Sequence, residues 1–101
     1  MSVHEAVLRL DPYITRVLLP DLVGHDRRPA AFLVYLWLYA EQSHAGAPVT
    51  VSYQRLAEAV GISRSSAQSA VTLLLRRRLL STSKPRPTST PAYTVLHPWQ
   101  R

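Results

Sequence analysis

Cysteine is absent from this chain of 101 residues, so neither disulfides nor thiolate metal sites contribute, and cysteine usage leaves the redox compartment open. Long apolar runs are missing too. The most apolar stretch, Ala30 to Ala40, is far short of the ~20 residues that a membrane span needs. Glu5 and Arg9 interrupt any apolar run in Met1–Leu10, which excludes a secretory signal there and makes the cytoplasm the expected setting. His4, His25, His44 and His97 are scattered without metal-ligand spacing, so no metal is expected. Nor is there a glycine-rich phosphate loop, a nucleophile elbow or a paired-carboxylate arrangement. The expectation is a protein with no catalytic residues and no cofactor, not an enzyme.

Acidic residues are scarce, and their distribution is lopsided. The net charge is +6, yet residues 1–50 carry four arginines against five acidic residues, a net −1. Residues 51–101 carry seven arginines and Lys84 against Glu58 alone, a net +7. A polyanion is therefore the expected partner of the C-terminal half, the alternative being a basic surface kept for solubility. Hydrophobic residues make up 47% of the chain, a globular composition, and the length allows one modest core.

Tyr13–Leu19 is bounded by Pro12 and Pro20 and reads as a strand or a short helix; Pro20–Gly24 reads as a helical turn closed by glycine. Asp26 is a candidate cap for a helix with Pro29 in its first turn. The run Ala30–Ala40 is apolar on every face, so this helix must be covered on more than one side. It is expected to end around His44–Gly46, with Pro48 blocking continuation.

Residues 49–80 carry the informative pattern. Ser52 is a candidate N-cap for a helix with Tyr53, Leu56, Ala57 and Val60 on one face, at i, i+3, i+4, i+7 spacing. Gly61 supplies the left-handed backbone that ends it, Ile62 plugs the angle, and Ser63 caps a second helix burying Ala67, Ala70, Val71 and Leu74. Two short amphipathic helices joined by Gly-Ile-Ser form a helix-turn-helix, and Ala57 and Ala70 are small enough to let them cross closely.

On these residues the chain resembles the winged helix-turn-helix superfamily, closest to the N-terminal domains of GntR-type and MarR-type regulators and of plasmid replication initiators. The resemblance covers residues 28–97. It implies a mainly α fold with a small β-hairpin: a three-helix core, a reading helix for the major groove, and a wing. Leu80–Ser83 and Ala92–Leu96 are the wing-strand candidates, and Val49–Val51 a short third strand. The expected division is an N-terminal arm over 1–28, a candidate for dimerisation, and a winged domain over 29–101. Such families place glycine just before the first wing strand. Here the position holds Arg78, so the helix is expected to end differently or to run one turn longer.

Projected on a helix, the face opposite the buried arc carries Ser65, Ser69, Thr72 and Arg76, with Gln68 on one shoulder and Arg64 in the first turn. Arg64 and Gln68 have planar, bidentate groups suited to guanine and adenine. Ser65, Ser66 and Ser69 suit phosphates or water-mediated reading, and Arg55, Arg76 and Arg77 suit phosphates. Lys84 and Arg86, in a proline-stiffened wing tip, suit the minor groove. Leu73, Leu75, Trp37 and Trp99 suggest a homodimer reading palindromic half-sites on double-stranded DNA, unless residues 1–28 cover these surfaces. The leading expectation is a sequence-specific transcriptional repressor. A replication or partition accessory protein and a winged-helix module that binds protein are the alternatives.

Overall fold

The computed structural model describes residues 7–100, so Met1–Ala6, with the expectations for His4 and Glu5, and Arg101 lie outside it. Between Pro12 and Asp26 the chain is helical but wide. Two π-wound stretches, Ile14–Leu18 and Pro20–His25, are closed by i→i+5 bonds from the Leu19 N–H to the Ile14 carbonyl and from the Asp26 N–H to the Asp21 carbonyl. Pro20 is incompatible with regular α-winding here: its ring clashes with the carbonyl four residues back in an α-helix and it donates no bond, and it stands in the first turn of the second stretch. The strand reading of Tyr13–Leu19 is therefore excluded. Gly24 does not close the turn either; the left-handed residue is Arg27, at φ +55°. Ile14, Leu18 and Leu22, four residues apart, share one face and are buried in the common core.

Helix α1 spans Pro29–Ala45 and ends at Gly46, whose φ of +67° reverses the chain. Arg28 is its N-cap residue and supplies no side-chain bond, so Asp26 does not cap this helix. Its carboxylate is instead taken by Arg77, fifty-one residues on. Ala31, Phe32, Val34, Tyr35 and Leu38 are buried, and the π-wound segment covers much of the face left over. Only Leu33, at 45% exposure, remains a large open apolar side chain on α1.

Strand β1 (Val49–Thr50) leads into α2 (Tyr53–Val60) and α3 (Arg64–Arg76), followed by β2 (Leu80–Ser83) and β3 (Ala92–Val95). The sheet is antiparallel in the order β1-β3-β2, with Val49 opposite Tyr93 and Leu80 opposite Val95. Beyond the end of β1 the Gln42 side chain continues the ladder: its Oε1 accepts from the Val95 N–H at 2.6 Å. This ties α1 to the central strand. Three helices with a three-stranded wing make the fold a winged helix-turn-helix.

Helix α3 stops at Arg76 in spite of the missing glycine. The Leu79 N–H reaches the Leu74 carbonyl at 2.9 Å and the Arg78 N–H reaches that of Leu75 at 3.1 Å, the bond pair of a Schellman motif. Arg78 takes the left-handed position itself, at φ +58°, so the helix does not run a turn longer. Burial of Leu79 beside Leu74 holds the arginine in a conformation that costs on the order of 1 kcal/mol.

After β3 the chain folds back over the N-terminal segment. Trp99 stacks on Tyr13 with ring centroids 4.5 Å apart, and its Nε1 donates to Asp11 Oδ2 at 3.1 Å. His97 meets the edges of Tyr39 and Trp99. Trp37, Leu73, Leu75 and Trp99 are each half-buried against the protein's own core.

Candidate nucleic-acid interface

The two helices of the motif are set by local chemistry. Ser52 Oγ accepts from the Arg55 N–H at 3.1 Å, which starts α2, and Gly61 at φ +86° ends it. Ser63 Oγ accepts from the Ser66 N–H at 3.1 Å and starts α3. Leu56, Ala57, Ala67, Ala70, Val71 and Leu74 are buried between the helices and the core. Small side chains at 57, 67 and 70 allow close packing, so α3 keeps its other side in the open.

That open side carries Ser65, Gln68, Ser69, Thr72 and Arg76, all exposed. A shallow groove runs along it, and its far wall is Arg28 at the start of α1. A second groove lies on the other flank of α3, lined by Arg64, Tyr53, Leu75 and the wing residues Thr82, Lys84 and Thr88. Leu73 lines the first groove and Leu75 the second, which accounts for their position outside the core arc. Arg64 and Gln68, one turn apart, are therefore neighbours on the same edge of α3, with Arg64 lining the wing-side groove and Gln68 the Arg28 groove.

The remaining residues singled out from sequence are dispersed around this helix. Arg55 is exposed on α2 and lines neither groove; Arg86 lies on the exposed wing loop, where the Ser89 N–H closes a turn onto its carbonyl at 3.0 Å. Ser66 is half-buried, and Ser63 Oγ donates to its hydroxyl oxygen at 2.8 Å, so it serves the helix start. The Thr72 hydroxyl donates to the Gln68 carbonyl at 2.9 Å, leaving its oxygen lone pairs outward.

Charge pairing sharpens the picture. Among the described residues Arg77 is the one arginine held by carboxylates: it bridges Asp21 and Asp26. Its assignment to phosphate is therefore withdrawn, because the guanidinium is already committed inside the molecule. Asp26 is held below the usual carboxylate range, first by its hydrogen bond with His25 and then by Arg77. Asp21, His25 and Asp26 bring their ligand atoms within 4.8 Å of one another. Arg77 already neutralises both carboxylates there. Asp11 is likewise lowered, by the Tyr13 N–H first and by the Gln100 and Trp99 donors next. Three carboxylates of the N-terminal half are thus engaged by internal donors, and the other cations around α3 pair with no carboxylate among the described residues.

The model of the helix-turn-helix domain family matches residues 28–80, from the N-cap of α1 to the first wing strand. The chain belongs to this family. It is thereby placed in the helix-turn-helix DNA-binding superfamily, and the matched segment contains α2, α3 and both walls of the Arg28 groove. No curated protein and no solved structure matches the chain. No helix among the described residues is long and apolar enough to cross a membrane.

Arg28 is the residue that sequence reasoning missed. It sits in the half with a net negative charge, ahead of a proline, and nothing local marks it as a neighbour of residues some forty positions later. Only the packing of α1 on α3 brings it there.

Proposed function

We propose that this helix-turn-helix protein is a sequence-specific double-stranded DNA-binding regulator that represses by occluding a promoter. The observation that carries the reading is the open face of α3, flanked on both sides by grooves whose wall arginines and lysine pair with no carboxylate among the described residues. An α-helix is ~10–12 Å across with its side chains and the major groove is about 12 Å wide, so such a face fits as a unit. Arg64 and Gln68 reach base edges, the first suited to guanine and the second to adenine. Ser65, Ser69 and Thr72 meet phosphates or ordered water. Arg55 and Arg76 neutralise phosphates, and Lys84 and Arg86 carry the wing to the minor groove. Ser66 holds the helix start.

The repressor acts as a homodimer on paired half-sites. Val17, Leu19, Val23 and Leu33 expose a third or more of their surface on the N-terminal segment and α1, and they supply the apolar area for such a contact. The type resembles the GntR-type and MarR-type regulators and the plasmid replication initiators, and the site of action is the nucleoid in the cytoplasm.

Selection of bound fragments from genomic DNA tests this directly. A palindromic consensus is expected. Arg64→Ala and Gln68→Ala each relax the preference at one base-pair position by about 1–3 kcal/mol. Unchanged discrimination in both variants removes α3 as the reading helix, and binding without any consensus removes the repressor.

A further inference from the structure

We infer that Arg28 is a phosphate contact on the flank of α3 opposite the wing, so that the protein grips both walls of the major groove; this rests on the DNA-binding reading above. Duplex DNA presents a phosphate backbone on either side of an inserted helix. The wing flank has its cations in Arg64 and Lys84. On the other flank the groove is lined by Arg28, Ser65, Gln68, Ser69, Thr72, Leu73 and Arg76, and Arg28 is the only one of these that α3 does not carry.

The backbone under Arg28 is fixed on every side. Its N–H donates to the Leu22 carbonyl at 2.7 Å, and its own carbonyl accepts from the Ala31 N–H at 3.0 Å. Pro29 follows it with a locked φ, and Arg27 precedes it in the left-handed region at φ +55°. The Asp21–Arg77–Asp26 clamp ties the same turn to the C-terminal end of α3. That clamp also occupies the two nearest carboxylates in sequence, and among the described residues no carboxylate pairs with Arg28. A rigid root, an exposed cationic tip and an acid-free groove suit an anion that arrives with the duplex. A left-handed non-glycine residue retained beside such a tip is the kind of strain that accompanies functional sites.

The test compares the wild-type chain, Arg28→Gln, Arg28→Lys and, as a wing control, Lys84→Gln on a mixed-sequence duplex over a range of salt. Arg28→Gln is expected to lower the slope of log Kobs against log salt by about 0.9 and to weaken binding by a similar factor whatever the sequence, while Arg28→Lys restores most of it. Single methylphosphonate substitutions locate the contact: those silenced by Arg28→Gln lie on the groove wall opposite those silenced by Lys84→Gln. A wild-type slope in Arg28→Gln overturns the inference and leaves the DNA-binding reading standing. A wild-type chain that binds duplex without a salt slope overturns both. If glutamine at 28 disturbs the fold, the methylphosphonate map is taken in an Arg76→Gln background: sensitivity that survives on the wall opposite the wing is expected, and sensitivity confined to the wing-side wall overturns the inference.

Discussion

The carboxylates of residues 7–26 and the arginines of residues 52–76 are used in opposite ways. In the first stretch Asp11, Asp21 and Asp26 are all engaged by donors of the same molecule. In the second, Arg55, Arg64 and Arg76 have no carboxylate partner among the described residues, and the caps are made by neutral serines. The N-terminal stretch is thus built to bind the rest of the chain, and the helix-turn-helix is built to leave its charges outward. Adjacent arginines make the contrast plain: Arg76 faces a groove, whereas Arg77 closes a clamp.

The largest expected effect asks whether the two stretches share one core. Ile14 and Leu74 are both fully buried, so Ile14→Ala and Leu74→Ala should each lose about 2–5 kcal/mol in chemical denaturation. A near-neutral Ile14→Ala would make the N-terminal segment an appendage, and the contrast would become one between domain and tail. Next comes Arg78→Gly. Releasing the left-handed strain should stabilise the fold by about 1 kcal/mol, less whatever the freer glycine adds to the unfolded chain. A drop in stability would mean that the arginine side chain contributes more than its backbone costs.

Smaller still is the clamp. Its side chains are roughly a third exposed or less, so screening limits Arg77→Ala to below about 1 kcal/mol. The comparison predicts that Arg77→Ala moves the Tm and leaves the salt slope of DNA binding unchanged, and that Arg76→Ala does the reverse. Acid provides the last test. Asp11 and Asp26 titrate below their ordinary values, so their stabilisation is complete above about pH 4 and is lost as pH falls through the depressed values. In a Trp37→Phe background, Trp99 fluorescence should therefore respond to acid before far-UV circular dichroism does. Coincident transitions would mean that the N-terminal clasp is not separable from the core.

Local signals made the helix-turn-helix legible. Ser52, Gly61 and Ser63 act through bonds and backbone angles within four residues of themselves, and the alanine and leucine spacing of α3 is a property of one helix. Such effects survive without knowledge of the rest of the chain. The π-wound segment was not legible, because prolines at 12 and 20 are compatible with a strand or a helix until the burial of Ile14, Leu18 and Leu22 selects one. Asp26 shows the same limit from the other side. Its place before Pro29 suits a cap, yet a cation from fifty-one residues away outcompetes the helix start.

The sequence by itself therefore determined the family, the two caps, the turn at Gly61, the buried arc of α3 and the charge asymmetry, since each depends on neighbours along the chain. Tertiary structure alone decided which charges are free. Pairing needs proximity in space, and only the packed fold brings Arg77 to Asp21 and Asp26, lays Trp99 on Tyr13, and sets Arg28 across a groove from the helix that faces the DNA.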